Sequence, residues 1–293
     1  MISIDSVTKR YGERTAIENV SFDIAAGRLT GFVGGNGAGK TTTMRIILGV
    51  LSADSGDVRL NGAPVRSDDR RRFGYMPEER GLYPKMKVAE QVAYLGRLRG
   101  MSGSAANAAT TELLDRLELG PRANDTVESL SLGNQQRAQI AAALVHDPEV
   151  LILDEPFSGL DPLAVEVVVG VLQERAAQGV PVLFSSHQLE LVERLCDDLV
   201  VIADGRIRAK GPKERLRTSH STLAWDLETP GDAAWLRSRP GIAVREFDGG
   251  WARFEADEAT AQDVLRDALS RGAVRSFSPY RPTLTEIFKE VVK

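Results

Sequence analysis

Apolar and polar positions alternate near the start of the chain. Ile2 and Ile4 form one alternating stretch, and Val20, Phe22 and Ile24 form a second. The polar residues Arg10–Glu13 lie between them and include a glycine. Alternation with a period of two residues indicates strands with one buried face, so we predict short antiparallel strands joined by a turn.

Fully apolar runs occur three times, at Val150–Leu153, Val180–Phe184 and Leu199–Ile202, and they alternate with segments that have helical spacing. Leu29–Val33 is a further, mainly apolar run that resembles a strand. Runs of this kind are typical of parallel strands that are covered on both faces, and they predict the centre of an α/β domain. Asp204-Gly205 then predicts a hairpin that leads into Arg206–Ala209.

Two segments depart from this pattern. Residues 85–147 lack strand alternation and show helical spacing, which predicts a helical insertion with a break at Gly100–Ser104. Residues 220–293 contain all three tryptophans, an alternating Leu223/Trp225/Leu227 stretch and a helix-like Ala261–Leu269. We expect a small α+β accessory domain there, with the main domain spanning 1–215.

Composition restricts the function. The net charge of −4 and the absence of a long basic run argue against a nucleic-acid partner. Cys196 is the only cysteine, and its apolar neighbours predict a buried structural thiol. No apolar stretch reaches the ~18 residues that a membrane span needs, so we expect a cytoplasmic chain whose membrane role depends on a partner.

The strongest chemical signal is the stretch Gly34–Thr41, which fits the pattern Gly-x4-Gly-Lys-Thr. An apolar run precedes it and a helical pattern follows, which disfavours a merely flexible loop. Glycines allow backbone N–H groups to converge on phosphates, and the following helix contributes the positive end of its dipole. Lys40 is expected to contact the outer phosphates and Thr41 a magnesium ion.

Two adjacent carboxylates, Asp154 and Glu155, end an apolar run. The first could hold magnesium and the second could activate a water molecule, although such a pair can also simply cap a strand. Tyr11 is either a core or turn aromatic, or a side chain that stacks on a nucleotide base.

In combination these motifs resemble the nucleotide-binding subunits of ABC transporters over residues 1–215. Gly34–Thr41 resembles the Walker A loop, Val150–Glu155 the Walker B strand, Ser158–Asp161 the D-loop and His187 the switch histidine. The resemblance implies an α/β fold of the P-loop NTPase type with an antiparallel β subdomain and a helical insertion, to which the pattern of residues 220–293 adds the small C-terminal α+β accessory domain. It also favours the base-stacking role for Tyr11.

The resemblance further implies the residues of the site. Glu155, His187 and Lys40 are expected to be catalytic, and Thr41, Asp154 and Glu78 to hold Mg²⁺. ATP is expected to be bound by Tyr11, Gly34, Asn36, Gly37, Ala38, Gly39, Lys40, Thr41 and Thr42, together with Ser131, Gly133 and Asn134 of a second subunit.

Two motifs depart from the usual pattern of the family. Leu132 and Asn134 alter the signature segment Leu130–Gln136, and Glu78 stands where the family usually has glutamine. The Glu79–Pro84 stretch and these departures resemble a subgroup of bacterial exporter ATPases related to sodium and antibiotic efflux. The carboxylate of Glu78 could tighten the metal or repel the phosphates.

The predicted function is therefore an ATP-hydrolysing subunit that powers transport, with export favoured. The sequence carries one Walker A loop and one signature, so two complete sites need a second ATP-binding subunit, either a copy of this chain or a paralogue. The membrane partner is expected to be a polytopic permease that contacts the region from Glu78 to Val92, at the inner face of the membrane.

Alternatives remain for the function and for the docking region. Leu82, Tyr83 and Met86 could form the docking surface or belong to the core. A soluble ABC ATPase that switches a ribosome or another non-membrane partner is one functional alternative, and a nucleotide-gated binding module with little hydrolysis is another.

Overall fold

A computed structural model describes residues 1–79, 81–219 and 223–292 of the chain. Arg80 of the exporter-like stretch and His220, at the start of the predicted accessory domain, lie outside this description. The packing separates two compact units, Met1–Lys213 and Glu214–Glu290. Within the described residues we find no helix of sufficient length and apolarity to cross a membrane.

The strands and helices follow one another in a mixed order. The strands are β1 (Ile2–Tyr11), β2 (Arg14–Ile24), β3 (Leu29–Val33), β4 (Ser55–Leu60), β5 (Ala63–Pro64), β6 (Phe73–Met76), β7 (Val150–Leu153), β8 (Val182–Ser186), β9 (Asp198–Ala203), β10 (Arg206–Pro212), β11 (Ala224–Glu228), β12 (Ala243–Asp248), β13 (Trp251–Glu255) and β14 (Ser276–Pro279). The helices are α1 (Lys40–Ile47), α2 (Ser67–Arg70), α3 (Val88–Leu98), α4 (Gly103–Arg116), α5 (Leu132–Leu144), α6 (Pro162–Ala177), α7 (Leu189–Leu195), α8 (Lys213–Ser219), α9 (Glu258–Arg271) and α10 (Leu284–Val291).

The first sheet of the larger unit is antiparallel, with the order β2-β1-β4-β5. Ile2 pairs with Ile24 and Ile4 with Phe22, and all four side chains are buried. The strands meet at Gly12-Glu13, where Gly12 has a φ of 59° that favours glycine. The antiparallel strands predicted from the alternating pattern are confirmed.

The second sheet contains the apolar runs and has the order β10-β9-β3-β8-β7-β6. Strands β9, β3, β8, β7 and β6 are parallel, and β10 joins β9 as the predicted antiparallel hairpin. Every residue of β3, β7 and β8 is buried, as expected for central strands. The carboxyl ends of these parallel strands therefore meet at one edge, where α/β proteins place their ligand sites.

Helices α3, α4 and α5 form the predicted helical region, and α3 packs against both of the others. Val88 and Val92 are buried on one face of α3. Helix α4 starts at Gly103, within the predicted break, and its N-cap Ser102 accepts the N–H of Ala105 at 3.2 Å.

The smaller unit is an antiparallel sheet with the order β12-β13-β11-β14 and one long helix, α9. Leu227 and Phe254 of the sheet share a core with Ala261 and Val264 of the helix. Trp225 stacks on Phe277 at a centroid distance of 5.1 Å. The predicted α+β class of this region is confirmed.

Cys196 lies directly after α7 and is 2% exposed. Burial raises the pKa of its thiol to about 12, so the reactive thiolate does not form at neutral pH. The predicted buried structural thiol is confirmed.

His146 makes the larger unit sensitive to acid. Burial, together with Arg99, lowers the pKa of its imidazole from 6.5 to about 4. The unfolded chain therefore takes up a proton below pH 6.5 that the folded chain does not accept until about pH 4. Stability contributed by the neutral ring is thus present above pH 6.5 and is lost as the pH falls towards 4.

We expect His146→Gln to reduce this acid sensitivity. Relative to pH 7, the free energy of unfolding at pH 4 should fall by about 1–2 kcal/mol less in the variant, allowing for partial exposure of the ring. Urea unfolding of both proteins at a series of pH values measures the difference. If the free energy of unfolding changed with pH by the same amount in both proteins, the role of His146 in acid sensitivity would be contradicted.

Candidate functional site

The Gly34–Thr41 loop connects β3 to α1 at the carboxyl edge of the parallel sheet. Gly37 and Gly39 have φ values of 76° and 111°, in the left-handed region. A Cβ atom on Gly39 would lie 2.5 Å from Cγ2 of Ile17, and one on Gly34 would lie 2.4 Å from the carbonyl oxygen of Ile202. Close packing therefore requires glycine at positions 34 and 39, and the left-handed φ values favour glycine at positions 37 and 39. Together they shape the loop as a cradle.

Lys40 and Thr41 are the first residues of α1. The Lys40 Nζ donates to the carbonyl oxygens of Gly34 at 2.7 Å and Gly35 at 3.3 Å, so its ammonium group lies over the loop. The Thr41 hydroxyl donates to Oδ2 of Asp154 at 3.1 Å. The loop and the end of β7 are thereby joined in one site.

Asp154 follows β7 and is 1% exposed. Its second carboxylate oxygen, Oδ1, accepts the hydroxyl of Ser185 at 2.5 Å. A buried carboxylate requires hydrogen bonds to compensate for lost hydration, and Thr41 and Ser185 supply one to each oxygen. Nearby, burial and then the charge of Asp154 raise the pKa of Tyr75.

Glu155 extends from the same strand end with a φ of 53°. Its backbone N–H donates to the Ser185 hydroxyl at 2.8 Å, and its Oε2 lies 2.9 Å from Nδ1 of His187. The His187 side chain is 61% exposed, whereas that of Glu155 is 12% exposed. The pair therefore has one ring edge available to solvent or a ligand.

A cavity of about 960 Å³ brings most of the predicted site together. The predicted residues that line it are Tyr11, Asn36, Gly37, Gly39, Lys40, Thr41, Thr42, Glu78, Asp154, Glu155 and His187. Tyr11 is 53% exposed, which excludes the interpretation of this residue as a core aromatic. Positive and negative groups meet in the cavity, as binding of a phosphate–metal complex requires.

Two predicted residues, Gly34 and Ala38, do not line the cavity but stabilise the loop through hydrogen bonds within it. The Gly34 carbonyl accepts from Lys40, and Ala38 is 6% exposed with its N–H bonded to the Gly35 carbonyl at 3.1 Å.

The three signature residues also lie outside the cavity, at the start of α5. Ser131 caps this helix, and its hydroxyl accepts the N–H of Asn134 at 3.3 Å. The Asn134 Oδ1 accepts from Arg137 at 2.5 Å, and Gly133 lies close to the Gly159 carbonyl. This chain therefore presents the cradle and the signature segment as two separate surfaces.

The structure also brings residues to the site that the sequence motifs did not identify. Arg14, Thr15 and Ala16 line the cavity beside Tyr11, and the hairpin residues Asp204 and Gly205 close the same side. Ser185 contacts both carboxylate residues although it does not line the cavity. Two serines at the end of the apolar Val182–Phe184 run were the available signal for its role.

The oxygen donors of the cavity fit a small hard cation such as Mg²⁺. Thr41 and Asp154 lie within hydrogen-bonding distance of each other, and Glu78 lines the same cavity. Across residues 1–79, 81–219 and 223–292, no group of three His, Cys, Asp or Glu side chains could hold a metal by itself. A cation would thus take its other ligands from phosphate and water, which is how Mg²⁺ commonly binds.

Comparison with known protein families gives two matches. The model of the family described as ABC transporter matches residues 17–158. The model described as ATP-binding protein DrrA1-3-like, C-terminal domain, matches residues 211–292.

Two curated proteins illustrate the similarity over long stretches. The uncharacterized ABC transporter ATP-binding protein YhaQ of Bacillus subtilis is 40% identical over 293 residues, which cover 100% of this chain and 98% of that protein. The Nod factor export ATP-binding protein I of Paraburkholderia xenovorans is 41% identical over 221 residues, covering 74% of this chain and 73% of that protein.

Solved structures show the same similarity. An ATP-binding subunit of an ABC transporter superposes with a TM-score of 0.69 at 31% identity, covering 75% of this chain and 92% of that one. The dimeric ATP-binding cassette MJ0796, bound to ADP and Pi, superposes with a TM-score of 0.66 at 25% identity, covering 73% and 99% of the two chains.

Proposed function

Because this chain belongs to the family of ABC transporter ATP-binding proteins, we propose that it drives export through a separate membrane subunit by binding and hydrolysing MgATP at the cavity beside Gly34–Thr41. The chain is an ATPase subunit of a transporter, and the predicted P-loop fold of the ABC type is confirmed. Relatives are named as transporter proteins, so the alternative of a ribosomal switch has no support. The observation that carries the assignment of the site is the convergence of Lys40, Thr41, Asp154, Glu155 and His187 in one cavity.

The loop binds the phosphates of ATP in this proposal. Backbone N–H groups of the loop other than that of Ala38, together with those at the start of α1, face the negative charge, and the Lys40 ammonium moves from the Gly34 carbonyl to the outer phosphates. Tyr11 is exposed at the rim of the cavity, where its ring can stack on the base.

The Thr41 hydroxyl and the Asp154 carboxylate would hold Mg²⁺, with Glu78 within the same cavity. When bound there, the ion would supply positive charge that offsets the charge developing on the phosphates during transfer. The two protein hydrogen bonds to Asp154 keep its oxygens directed at the site.

Glu155 is the general base. Its carboxylate accepts a proton from the attacking water, and the bond between Oε2 and His187 Nδ1 fixes the direction of the carboxylate. The exposed ring of His187 contacts the γ-phosphate and the water. Phosphate release then removes the charge that both residues contacted.

A second ATP-binding subunit completes each site. Ser131, Gly133 and Asn134 do not line the cavity of their own chain, and we assign them to the cavity of a partner. The N-terminus of α5 directs N–H groups outwards and suits a γ-phosphate. The dimeric form of the MJ0796 cassette supports this arrangement, and we propose a homodimer.

The membrane subunit docks on the helical region. A hollow of about 650 Å³ is lined by Tyr83, Pro84, Lys85, Met86, Tyr94 and Glu128. Tyr83 is 58% exposed, and Leu82 and Met86 are half-buried, which favours a docking surface over a core role. In this proposal the chain lies at the cytoplasmic face of the membrane and is attached through this partner.

Purification from native membranes in mild detergent tests this proposal. We expect a stoichiometric polytopic membrane protein, identified by mass spectrometry, to accompany the chain. Tyr83→Asp should abolish that association and leave ATP turnover of the isolated chain unchanged, because a carboxylate is costly in an apolar contact. Leu98→Asp is the control, since Leu98 is 64% exposed at the end of α3 and lies outside the hollow.

Recovery of the chain with soluble partners alone would overturn the transport role and leave the ATPase chemistry intact. Equal loss of the membrane protein from both variants would instead reject the hollow as the docking site.

A further inference from the structure

We propose that Ser185 and Gln136 are positioning residues that fix the carboxylate of Glu155 for proton abstraction. This inference rests on the proposed function of Glu155 as the general base. Neither residue lines the nucleotide cavity, and both act through the backbone of Glu155.

Glu155 has an unusual backbone conformation that needs support. Its φ of 53° lies in the left-handed region, which costs a non-glycine residue about 1–2 kcal/mol. Such a conformation persists only where the surrounding structure holds it. The peptide groups on both sides of Glu155 are each bound by a buried side chain.

Ser185 holds the N–H side. It is 0% exposed, and its hydroxyl lies 2.8 Å from the Glu155 nitrogen and 2.5 Å from Oδ1 of Asp154. The amide can only donate and the Asp154 carboxylate can only accept, so the hydroxyl proton is directed to Asp154. One hydroxyl thereby links the metal-binding carboxylate to the backbone of the base.

Gln136 holds the carbonyl side. It is 3% exposed, and its Nε2 donates to the Glu155 carbonyl oxygen at 2.9 Å. Gln136 belongs to α5, the helix that starts at the signature serine, whereas Ser185 belongs to β8. Two elements from distant parts of the sequence therefore fix the rotation of this one residue.

The orientation of the Glu155 side chain follows from the two hydrogen bonds that Ser185 and Gln136 make to its backbone. With the backbone fixed, Oε2 reaches Nδ1 of His187 at 2.9 Å, and His187 follows the same strand end as Ser185. Rotation of the backbone would move the carboxylate away from both His187 and the attacking water. A displacement of about 1 Å at a reacting group can reduce a rate about a hundredfold.

The test compares Ser185→Ala and Gln136→Met with the parent protein. Each variant removes one hydrogen bond to Glu155, and Ser185→Ala also removes the hydrogen bond to Asp154. We expect kcat for ATP to fall about tenfold or more in both variants. In Gln136→Met, which leaves Asp154 and the nucleotide contacts intact, KM and the affinity for ADP should change less than about twofold. Thr30→Val is the control, because Thr30 is a buried residue of the same sheet whose hydroxyl has no partner in the described part of the chain.

The pH dependence of kcat in Gln136→Glu tests the hydrogen bond itself, because this dependence would be unchanged if Gln136 had a purely structural role. At high pH the new carboxylate cannot donate to the Glu155 carbonyl, whereas its protonated form can. The ratio of kcat in this variant to that in the parent should therefore rise as the pH falls from about 8 to about 6, because burial raises the pKa of a carboxyl group.

The outcomes are distinguishable. A parent protein without ATPase activity would reject the proposed function itself. With an active parent, unchanged kcat in both Ser185→Ala and Gln136→Met would overturn the positioning role. Equal losses of kcat and nucleotide affinity in Gln136→Met, or a pH-independent ratio for Gln136→Glu, would overturn it as well.

Discussion

Replacement of Glu155 by glutamine is expected to lower steady-state ATP turnover by about 10²–10³-fold while leaving nucleotide affinity nearly unchanged. The amide has the size and shape of the carboxylate but cannot accept a proton from water. Its oxygen can still accept from His187, so the geometry of the pair is retained. The expected loss of ATP turnover therefore measures the effect of Glu155 on the chemical step alone.

Phosphate release under saturating ATP measures turnover, and fluorescent-nucleotide titration measures affinity. The variant should also accumulate as an ATP-bound dimer on a sizing column, because the closed state no longer decays. Glu190→Gln is the control, since Glu190 is an exposed carboxylate of α7 outside the cavity. Undiminished turnover in Glu155→Gln would remove this residue from the role of base.

Lys40→Ala is expected to have its main effect on binding. Lys40 lines the cavity and brings a positive charge to it, and its Nζ lies 2.7 Å from the carbonyl oxygen of Gly34 in the loop. A hydrogen bond to a charged group contributes about 2–3 kcal/mol, so we expect MgATP affinity to weaken by about 30- to 150-fold.

Calorimetric titration of MgATP measures this loss directly. Lys210→Ala is the matched control, because Lys210 is exposed on β10, outside the cavity, and donates to the Ser21 carbonyl. Equal affinities in the parent and in Lys40→Ala would reject the assignment of Gly34–Thr41 as the phosphate cradle.

Local patterns were sufficient for most of the fold. Strands occur where Ile4 and Phe22 alternate with polar residues and where the apolar runs contain Val150 and Val182. A few consecutive residues suffice for this prediction, because the apolar pattern of a strand indicates whether one or both of its faces are buried. The phosphate loop could also be predicted, because its Gly-x4-Gly-Lys-Thr pattern lies within the single stretch Gly34–Thr41.

The contacts that organise Glu155 could not be obtained in this way. Ser185 and Gln136 are separated from Glu155 by many residues, and they meet it only because β8 lies beside β7 and α5 packs nearby. A buried polar side chain leaves no periodic signal. Likewise, the separation of Ser131 from the cavity depends on the placement of a whole helix.

The isolation of Cys196 has a practical consequence for spectroscopy. The only thiol of the chain is buried and resists thiol-specific dyes at neutral pH, so the wild-type sequence already serves as an unlabelled background. A single substitution such as Leu163→Cys, at a position 80% exposed, would carry one probe per subunit. In the proposed homodimer, energy transfer between two labelled copies would then follow the approach and separation of subunits during each ATP cycle in real time.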